Sequence, residues 1–504
     1  MTLPLRVSRG IVRLVVGWVA VSGLAPGHAG AQAPIDDLSL EEAIRLAHEH
    51  NPGYRIQESG LATLGIERRE ARAAFLPSAT ISNSLGYTAS GERRFGDVSL
   101  ATRPAQFSSV YNIGLSLSLS GSTFLQPGLV DAQAEATHAQ VRGASAELVD
   151  QVTQAYLSTL QADEQLAQAR AELERTRTYV RQAEAQVEVG AATPLDIRRA
   201  EIQEGQAEVQ VLQAENAAVS NRLGLMRIIG VDLASDARLA TEFDVFAPAL
   251  DPEALVQRAL EANPELSASR SQVAANRAQR RMAESQYLPS VSLSAGWSGS
   301  VFQADRIAPL VDDRLRQLSG QYESCVQENR IRDLLGDPPR DCSPLDPTDP
   351  VVETNVREQV RQANQGWPFD FDRQPFSLSM SVSIPVFTGF SRQLQAEQAR
   401  VAESNAQHQV RAEELRLRSE VEAAYRAVET ARRTAELQAR IRETSQEELR
   451  LAQERFRLGL GTSIEVVDAQ ANLSEAERAE ISAIYDFHAS FAALEALVGE
   501  SLRE

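Results

Sequence analysis

The sequence predicts a mainly α-helical protein that also builds a membrane β-barrel, with one structural unit written twice along the chain. Three observations predict this fold class. Segments repeat in tandem, four stretches alternate aliphatic residues with serine, and two long stretches rich in Ala, Gln, Glu, Arg and Leu contain no Pro. At about 1.5 Å per residue, each long stretch makes a helix roughly 85–100 Å long, which is far longer than a globular domain requires.

Charge and composition exclude several classes of function. The chain has 504 residues and a formal net charge of −19, which argues against a nucleic-acid or anionic-membrane surface. All 50 basic residues are Arg, because the sequence contains no Lys, and lysine chemistry is therefore excluded. The six His are scattered without zinc-ligand spacing, so we predict no metal site. We find no nucleotide-binding motif and no acid–base or nucleophile–His constellation, so we predict no catalytic or cofactor-binding site either.

The first 31 residues have the layout of a secretory signal peptide. Arg6, Arg9 and Arg13 precede or open an apolar stretch that ends in small residues, at Ala29-Gly30-Ala31 or at Ala31-Gln32-Ala33. The apolar run is shorter than the ~20 residues of a spanning helix, and no later run of that kind is expected. No Cys lies near the cleavage site, so we do not expect a lipid anchor on an N-terminal Cys.

Two blocks of sequence return at fixed offsets, the segment 38–82 after 212 residues and the segment around 152–196 after 269 residues. The chain therefore divides into a first repeat, 32–242, and a second repeat, 243–504. Each repeat is predicted to hold short helices, a β-hairpin and a helical hairpin. The hairpins are placed at about 78–120 and 131–229 in the first repeat and at about 290–387 and 392–498 in the second. The matched residues include Asn51-Pro52 with Asn263-Pro264, Leu76-Pro77 with Leu288-Pro289, Ala155-Tyr156 with Ala424-Tyr425, and Gly190 with Gly459.

Four strands are predicted from a period of two residues. One face of these strands is aliphatic, the other is nearly all serine, and aromatic residues gather at the strand ends. This pattern is typical of a membrane β-barrel that has a water-filled lumen and a belt of aromatic residues at the membrane–water interface. An ordinary soluble β-layer is the alternative. The clearest alternation sets Ile113, Leu115, Leu117 and Leu119 against Gly114, Ser116 and Ser118, and Leu378, Met380 and Val382 against Ser377, Ser379 and Ser381.

Four strands are too few to close a membrane barrel. An open sheet in lipid leaves unpaired backbone groups at its edges, and bacterial barrels have at least eight strands. Several copies must therefore share one barrel. A trimer supplies twelve strands, whereas a dimer supplies eight and leaves an interior just wide enough for side chains to fill.

Each helical hairpin turns at a similar motif. Gly190 and Gly459 suit the left-handed end of a helix, while Thr193 and Thr462 are N-cap candidates with an acid three positions later. One interpretation is a stable helix-turn-helix that has no further role. The motif occurs in both repeats at the end farthest from the strands, which makes it the tip of the rod.

The chain resembles the TolC family of outer membrane efflux proteins over residues 38–500. The resemblance rests on the tandem repeat, on Ser383-Ile384-Pro385-Val386-Phe387-Thr388-Gly389, and on Phe456-Arg457-Leu458-Gly459 with the residues that follow. It implies a trimer with a 12-stranded outer membrane barrel and a long α-barrel through the periplasm. It also implies that the tips dock to a periplasmic adaptor, and through it to an inner-membrane pump. The docking residues implied are Gly190, Thr193, Pro194, Asp196, Arg457, Gly459 and Thr462.

The resemblance also implies a periplasmic gate of acidic rings, which falls on Glu465 and Asp468. Three copies of each carboxylate around one axis repel one another and concentrate cations, so we expect a cation-selective mouth. The alternative is a pair of surface acids in the first turn of a helix, where the helix dipole favours them. Gly461 and Phe456 stand where some family members place an Arg and a Tyr that latch the closed state, so that latch is not expected here.

An inserted segment, 298–375, interrupts the second β-hairpin and is predicted to be an extracellular loop that partly covers the outer mouth. Cys325 and Cys342 both lie in it, and an oxidising compartment predicts a disulfide between them. Its Pro and Asp content predicts irregular structure.

Together these features predict a passive exit duct of a tripartite efflux or type I secretion system, and not an enzyme. The alternative from another class is a periplasmic coiled-coil adaptor or structural rod.

Overall fold

The computed structural model describes residues 37–190, 192–232, 238–241 and 243–502, so the predicted signal peptide lies outside the described residues. Helices dominate the described chain. In chain order they are α1 (Leu40–His50), α2 (Pro52–Ser59), α3 (Leu61–Ala73), α4 (Gly121–Glu188), α5 (Pro194–Ile229), α6 (Pro252–Ala262), α7 (Pro264–Ser285), α8 (Ala308–Leu335), α9 (Pro350–Ala363), α10 (Ser391–Arg457) and α11 (Ser463–Val498). The strands are β1 (Asp37–Leu38), β2 (Ser78–Thr88), β3 (Gly91–Phe95), β4 (Val98–Arg103), β5 (Gln106–Leu119), β6 (Arg238–Leu239), β7 (Ser290–Ala304), β8 (Asp372–Arg373) and β9 (Ser377–Ser383).

The two repeats make the same contacts in three dimensions. The Asn51 side chain caps α2 and donates to the carbonyl of Ile228 at 2.8 Å, and Asn263 caps α7 and donates to the carbonyl of Leu497 at 3.0 Å. Helices α5 and α11 each have 36 residues, and each ends at a glycine with φ of 82°. A side chain on Gly230 would clash with the backbone of His50, and one on Gly499 would clash with the backbone of Ala262. Each returning helix therefore ends in close contact with a short helix of its own repeat.

The first long helix begins at Gly121, earlier than the predicted start near Asp131. Ser120 caps it, with reciprocal hydrogen bonds between Ser120 and Thr123. Pro127 lies inside the helix, where it removes one backbone donor, and the helix continues through it.

The helices lie side by side in a fixed lateral order. Helix α4 contacts α5 and α3 on one side, and α11 and α7 on its other side. Helix α10 contacts α11, α7 and α6. The order is therefore α5 with α3, then α4, then α11 with α7, then α10. One long helix is flanked on both sides and the other on one side only.

Apolar clusters hold this layer together. One cluster joins α1, α4 and α5 around Tyr156, and a second joins α6, α10 and α11 around Phe487 and Phe491. Among the described residues, α11 is the one helix long and apolar enough to cross a membrane by length and composition. Much of its apolar surface instead belongs to the clusters that it forms with α10 and α4.

The strands form an antiparallel sheet in the order β2, β5, β7, β9, with the short β8 pairing beside β9 on β7. The register places serine beside serine: Ser78 pairs with Ser116, Ser116 with Ser294, and Ser294 with Ser379. The Ser78 and Ser116 hydroxyls lie 2.7 Å apart. The next row carries Leu117, Leu293 and Met380, so the predicted serine face and aliphatic face are both observed.

The inserted segment differs from the prediction of an irregular loop. Strand β7 continues to Ala304, past the predicted boundary at 298, and the segment then forms α8 and α9. Val311, Val352 and Val356 make a small core between the two helices, and Cys325 and Cys342 form a disulfide. Prolines stand at the first turns of both helices, where they are tolerated, so the Pro content misled the prediction.

The base of the insertion packs on the aliphatic face of the sheet. Trp367 contacts Phe107 with ring centroids 5.3 Å apart, and Phe371 contacts Tyr111 at 4.8 Å. The Asn364 side chain bonds both backbone groups of Ala304 at the end of β7. These contacts gather aromatic residues where β5 and β7 meet the inserted segment.

Candidate functional site

The candidate site is the pair of turns at the end of the helices farthest from the sheet. In the first turn, Gly190 has φ of 76° and Thr193 caps α5. The backbone N–H and the hydroxyl of Thr193 both donate to Asp196, at 2.9 and 2.7 Å. In the second turn, Gly459 has φ of 70° and Thr462 caps α11 through the backbone N–H of Glu465 at 3.4 Å. Both turns therefore follow the capping pattern that the sequence predicts.

A hydrogen bond joins the two turns to each other. The Ser463 hydroxyl donates to the second oxygen of the Asp196 carboxylate. This bond is the main reason that the pKa of Asp196 lies below its usual range, and the Thr193 donors and nearby Arg199 lower it further. Asp196 thus completes its own helix cap and also ties the second repeat to the first.

Tyr179 strengthens the same connection. This α4 side chain is buried where α4 packs on α11, and its hydroxyl donates to the carbonyl of Ser463 at 3.3 Å. Burial raises the pKa of Tyr179 to about 12, helped by the negative charge of Asp196. The ring packs in an apolar cluster that includes Ala183, Leu449 and Val466, so the tip has a core of its own.

We call the contact of α4 with α11 within one chain the internal seam. Above the tip it is held by polar side chains. Arg175 pairs with Glu477 at 2.5 Å, Gln168 donates to Glu477 at 3.0 Å, and Gln165 donates to Ser482 at 3.3 Å. The internal seam is therefore directional, because each of these bonds fixes the rotation and the height of one helix against the other.

The two predicted gate residues lie together on the exposed side of α11. Glu465 and Asp468 line an open groove between α10 and α11 with a volume of about 750 Å³. Arg455 lies 3.6 Å from Glu465 and also donates to the carbonyl of Leu460 at 3.3 Å. The groove also contains three further carboxylates, from Glu443, Glu447 and Glu448. Its charge is strongly negative, which favours cations over anions.

The two departures from the family pattern have distinct surroundings. Phe456 packs against Tyr179 with ring centroids 6.2 Å apart, so its ring joins the tip cluster. A side chain on Gly461 would lie 3.1 Å from the Cβ of Arg455 and 3.2 Å from a carboxylate oxygen of Glu465. The remaining predicted docking residues, Pro194 and Arg457, are exposed at the tip.

Two exposed aliphatic faces lie at the lateral ends of the helical layer. On α5, Leu212 and Val219 are 66% and 58% exposed, and apolar residues recur there with spacings of three, four and seven. On α10, Leu437 and Ile441 are about half exposed. Such spacings are typical of helices that pack along a narrow stripe. The exposed aliphatic residues are Leu195, Ile202, Val209, Leu212, Val219 and Leu223 on α5, and Leu394, Val401, Leu415, Leu437, Ile441 and Leu451 on α10.

The sequence matches one protein family over most of its length. The model of the family described as "Outer membrane efflux protein" matches residues 43–231 and 356–500, which are most of the chain. The chain belongs to the outer membrane efflux protein family. The resemblance predicted from the motifs is therefore confirmed, and membership in a family of efflux channels agrees with the prediction of a duct and not an enzyme.

Individual relatives of this efflux protein are distant. It is 27% identical to the protein CyaE of Bordetella pertussis over 274 residues, which cover 52% of this chain and 55% of CyaE. It is 23% identical to the cobalt-zinc-cadmium resistance protein CzcC of Cupriavidus metallidurans over 195 residues, which cover 39% of this chain and 46% of CzcC. The chain thus spans about half the length of the curated relatives that it matches.

The fold is shared more widely than the sequence. The outer membrane channel CmeC of Campylobacter jejuni superposes with a TM-score of 0.68 at 13% identity, over 92% of this chain and 87% of CmeC. The inserted segment before residue 356 lies outside the two matched parts of the family model.

Sequence reasoning found the turns and the two acids but missed their supports. Ser463 and Tyr179 each bind a residue of the other repeat, and Arg455 reaches Glu465 across the second turn. The one signal available was the mismatch between repeats, since Ser463 stands where the first repeat has Pro194.

Proposed function

We propose that three copies of this efflux protein form one continuous exit duct, with a shared barrel in the outer membrane and a helical tunnel in the periplasm. The observation that carries the proposal is the lateral order of the helices. Helix α4 has neighbours on both sides, whereas α10 and the pair α5 with α3 each have one free side. Two different free sides on opposite ends of a layer form a head-to-tail contact, and such contacts give a ring when the rotation from copy to copy closes.

The repeat indicates how the next copy fits. Within the chain, the α4 residues Gln154 and Gln165 face α11. Their equivalents on α10, Ala423 and Thr434, line a groove of about 450 Å³. The equivalent of α11 is α5, so the groove suits α5 of the next copy. We call this contact between copies the external seam. It would bury the exposed aliphatic residues of α5 and α10 described above.

The sheet supports the same closure. Among the described strands, β2 pairs only with β5, and β9 pairs only with β7. Each copy therefore ends in two free antiparallel edges, which cost several kcal/mol per unpaired group in lipid. Pairing β9 of one copy with β2 of the next removes every edge, and three copies give the twelve strands predicted from the sequence. A periplasmic rod or adaptor, the alternative function, has no use for a sheet with an aliphatic face and a serine face.

The tip is where the duct meets its partners. Gly190, Thr193, Pro194 and Asp196 of one turn, with Arg457, Gly459 and Thr462 of the other, would receive the hairpin tips of a periplasmic adaptor. Glu465 and Asp468 would narrow the mouth and favour cations. Transport energy would come from an inner-membrane pump, coupled through the adaptor.

Cross-linking tests the ring. The repeat makes Gln213 and Thr434 the equivalents of Ser482 and Gln165, which are in contact within the chain. We expect a Gln213→Cys, Thr434→Cys protein treated with a short bis-maleimide to give dimers and trimers in denaturing gels, and no larger species. Each single variant is the control, and the disulfide at Cys325 keeps the native thiols unreactive. A double variant that stays monomeric would contradict the ring.

A further inference from the structure

The segment that returns from the inserted helices to the sheet crosses one face of the sheet. We call this segment, residues 365–371, the strap. Before it, the Asn364 side chain bonds both backbone groups of Ala304, at 2.7 and 2.9 Å. After it, β8 pairs with β7. Both ends of the strap are therefore fixed beside β7, at the end of that strand that leads into the insertion.

The strap lies on the aliphatic face of the sheet. The Trp367 ring contacts Phe107, with ring centroids 5.3 Å apart. The Phe371 ring contacts Tyr111, with centroids 4.8 Å apart. Side chains alternate between the two faces of a strand, so Phe107 and Tyr111 share a face with Ile113 of the same strand. A segment that folds over the mouth of a barrel would leave from the serine face instead, because that face lines the lumen of the proposed duct.

The strap covers polar residues of this face. Ser109 lies between the two strand residues whose rings the strap contacts, and it is 0% exposed, whereas Ile113 farther along the same face is 37% exposed. Its partner on β7, Val301, is also buried. The Ser109 hydroxyl donates to the side-chain oxygen of Asn83 at 3.2 Å. Hydrocarbon is an unfavourable environment for such polar groups, so a cover made of protein stabilises this part of a sheet that faces lipid.

The height of the strap matches the outer boundary of a membrane. Counted from the aliphatic row that contains Leu119, Tyr111 lies in the fifth row and Phe107 in the seventh. Rows on one face are ~6.6 Å apart along a strand, so at a tilt of ~40° these two rows lie about 20 and 30 Å from the first. The apolar band of a bacterial barrel is ~25 Å tall and has aromatic residues at both boundaries. The strap therefore spans the level at which the apolar band ends.

The outward surface of the strap is aromatic. Phe369 is 68% exposed and packs beside Phe371, with ring centroids 6.4 Å apart. Next to the strap, Tyr87 of β2 is 58% exposed and contacts Phe107 at 5.0 Å. Aromatic side chains are enriched where acyl chains meet headgroups, so lipid is the partner that fits this surface.

We infer that the strap is a lipid-binding segment, whose aromatic side chains lie among the acyl chains of the outer leaflet next to the headgroups. It takes the place of lipid over the polar part of the sheet and holds the base of the inserted helices on the outside of the barrel. The inference rests on the proposed trimeric duct, because the shared barrel makes the aliphatic face the outer one.

Two proteins with a single tryptophan test this inference. Trp18 lies in the predicted signal peptide, so the mature protein with Trp297→Phe and Trp367→Phe contains no tryptophan. In this background, Phe369→Trp places a fluorescent probe on the strap. Phe302→Trp is the matched control, because Phe302 is 53% exposed at a similar height on the serine face.

The proteins are reconstituted in phosphatidylcholine vesicles, with or without bromine atoms in the upper half of the acyl chains. Brominated lipid should remove at least half of the fluorescence of the Phe369→Trp probe and less than a tenth of that of the Phe302→Trp probe. Acrylamide, a quencher dissolved in water, should act in the opposite order.

A milder variant guards against disturbance of the strap. Trp297→Phe alone keeps the natural Trp367 as the probe, and brominated lipid should quench it too. If brominated lipid quenches neither Trp367 nor the Phe369→Trp probe, the inference is overturned. Quenching of the Phe302→Trp probe by brominated lipid would instead contradict the water-filled lumen of the proposed function, so the two failures are distinguishable.

Discussion

Ser463 donates a hydrogen bond to the carboxylate of Asp196, and this contact joins two turns that are 267 residues apart in sequence. Asp196 also receives both Thr193 donors, so one carboxylate caps α5 and holds α11. This contact therefore links the two helical hairpins of one chain at the tip.

Removing the Ser463 hydroxyl should make the first turns of α5 and α11 less stable. A hydrogen bond to a charged group contributes about 1.5–3 kcal/mol, so Ser463→Ala should lower the hydrogen-exchange protection of these turns by roughly tenfold or more. Ser419→Ala is the control, because its hydroxyl bonds only the carbonyl of Arg416 on the exposed side of α10. Unchanged protection at Thr193 and at residues 196–200 would show that the contact does not stabilise the tip.

The pKa of Asp196 gives the same contact a pH dependence. A carboxylate with a lowered pKa in the folded state contributes stability above its unfolded value, near 3.9, and that stability is lost as pH falls through the folded value. Protection of the α5 first turn, corrected for intrinsic exchange, should be constant from neutral pH to about pH 5 and fall below about pH 4. Asp196→Asn should have low protection throughout, with little change between these pH values.

Neutralising the acidic mouth should change conduction. Glu465→Gln with Asp468→Asn removes two carboxylates per copy, which lowers the repulsion and the local concentration of cations. In planar bilayers we expect higher conductance or a weaker preference for cations over anions. Glu201→Gln is the control, since Glu201 lies on α5 outside the groove and pairs with Arg198. Unchanged currents in the double variant would remove both residues from the gate.

The disulfide should stabilise the inserted segment alone. Cys325 and Cys342 close a short loop, for which chain entropy predicts about 3 kcal/mol. With Cys325→Ser and Cys342→Ser together, limited trypsin digestion should cut between residues 330 and 345 several times faster. The helical hairpins should keep their resistance, because the core of the insertion is separate from theirs. Equal cleavage rates with and without the disulfide would contradict this role.

The regular parts of the fold were predictable from local pattern. The alternation of serine with aliphatic residues predicted the strands of the sheet. The positions of proline and asparagine predicted the short helices, and the two glycine turns predicted where the long helices end. These features depend on residues close in sequence. The helices of the insertion were missed because the apolar stripe of Val311, Leu315 and Leu318 covers only two turns, and the surrounding prolines suggested loops.

The supports of the site were less predictable. The bond between Ser463 and Asp196 depends on how two helices from different repeats are rotated against each other, and periodicity does not determine that rotation. The hydrogen bond from Tyr179 to the distant carbonyl of Ser463 likewise follows only from the packed structure. The acids at 465 and 468 were found through the family motif rather than through any property of the residues alone.

The copy number is the central claim, because one chain supplies too few strands and leaves two helical faces exposed. Native mass spectrometry of the protein extracted in a mild, uncharged detergent measures it directly. We expect particles that contain three chains and release single chains on activation. Particles that contain a single chain, in a detergent that preserves the sheet, would contradict it.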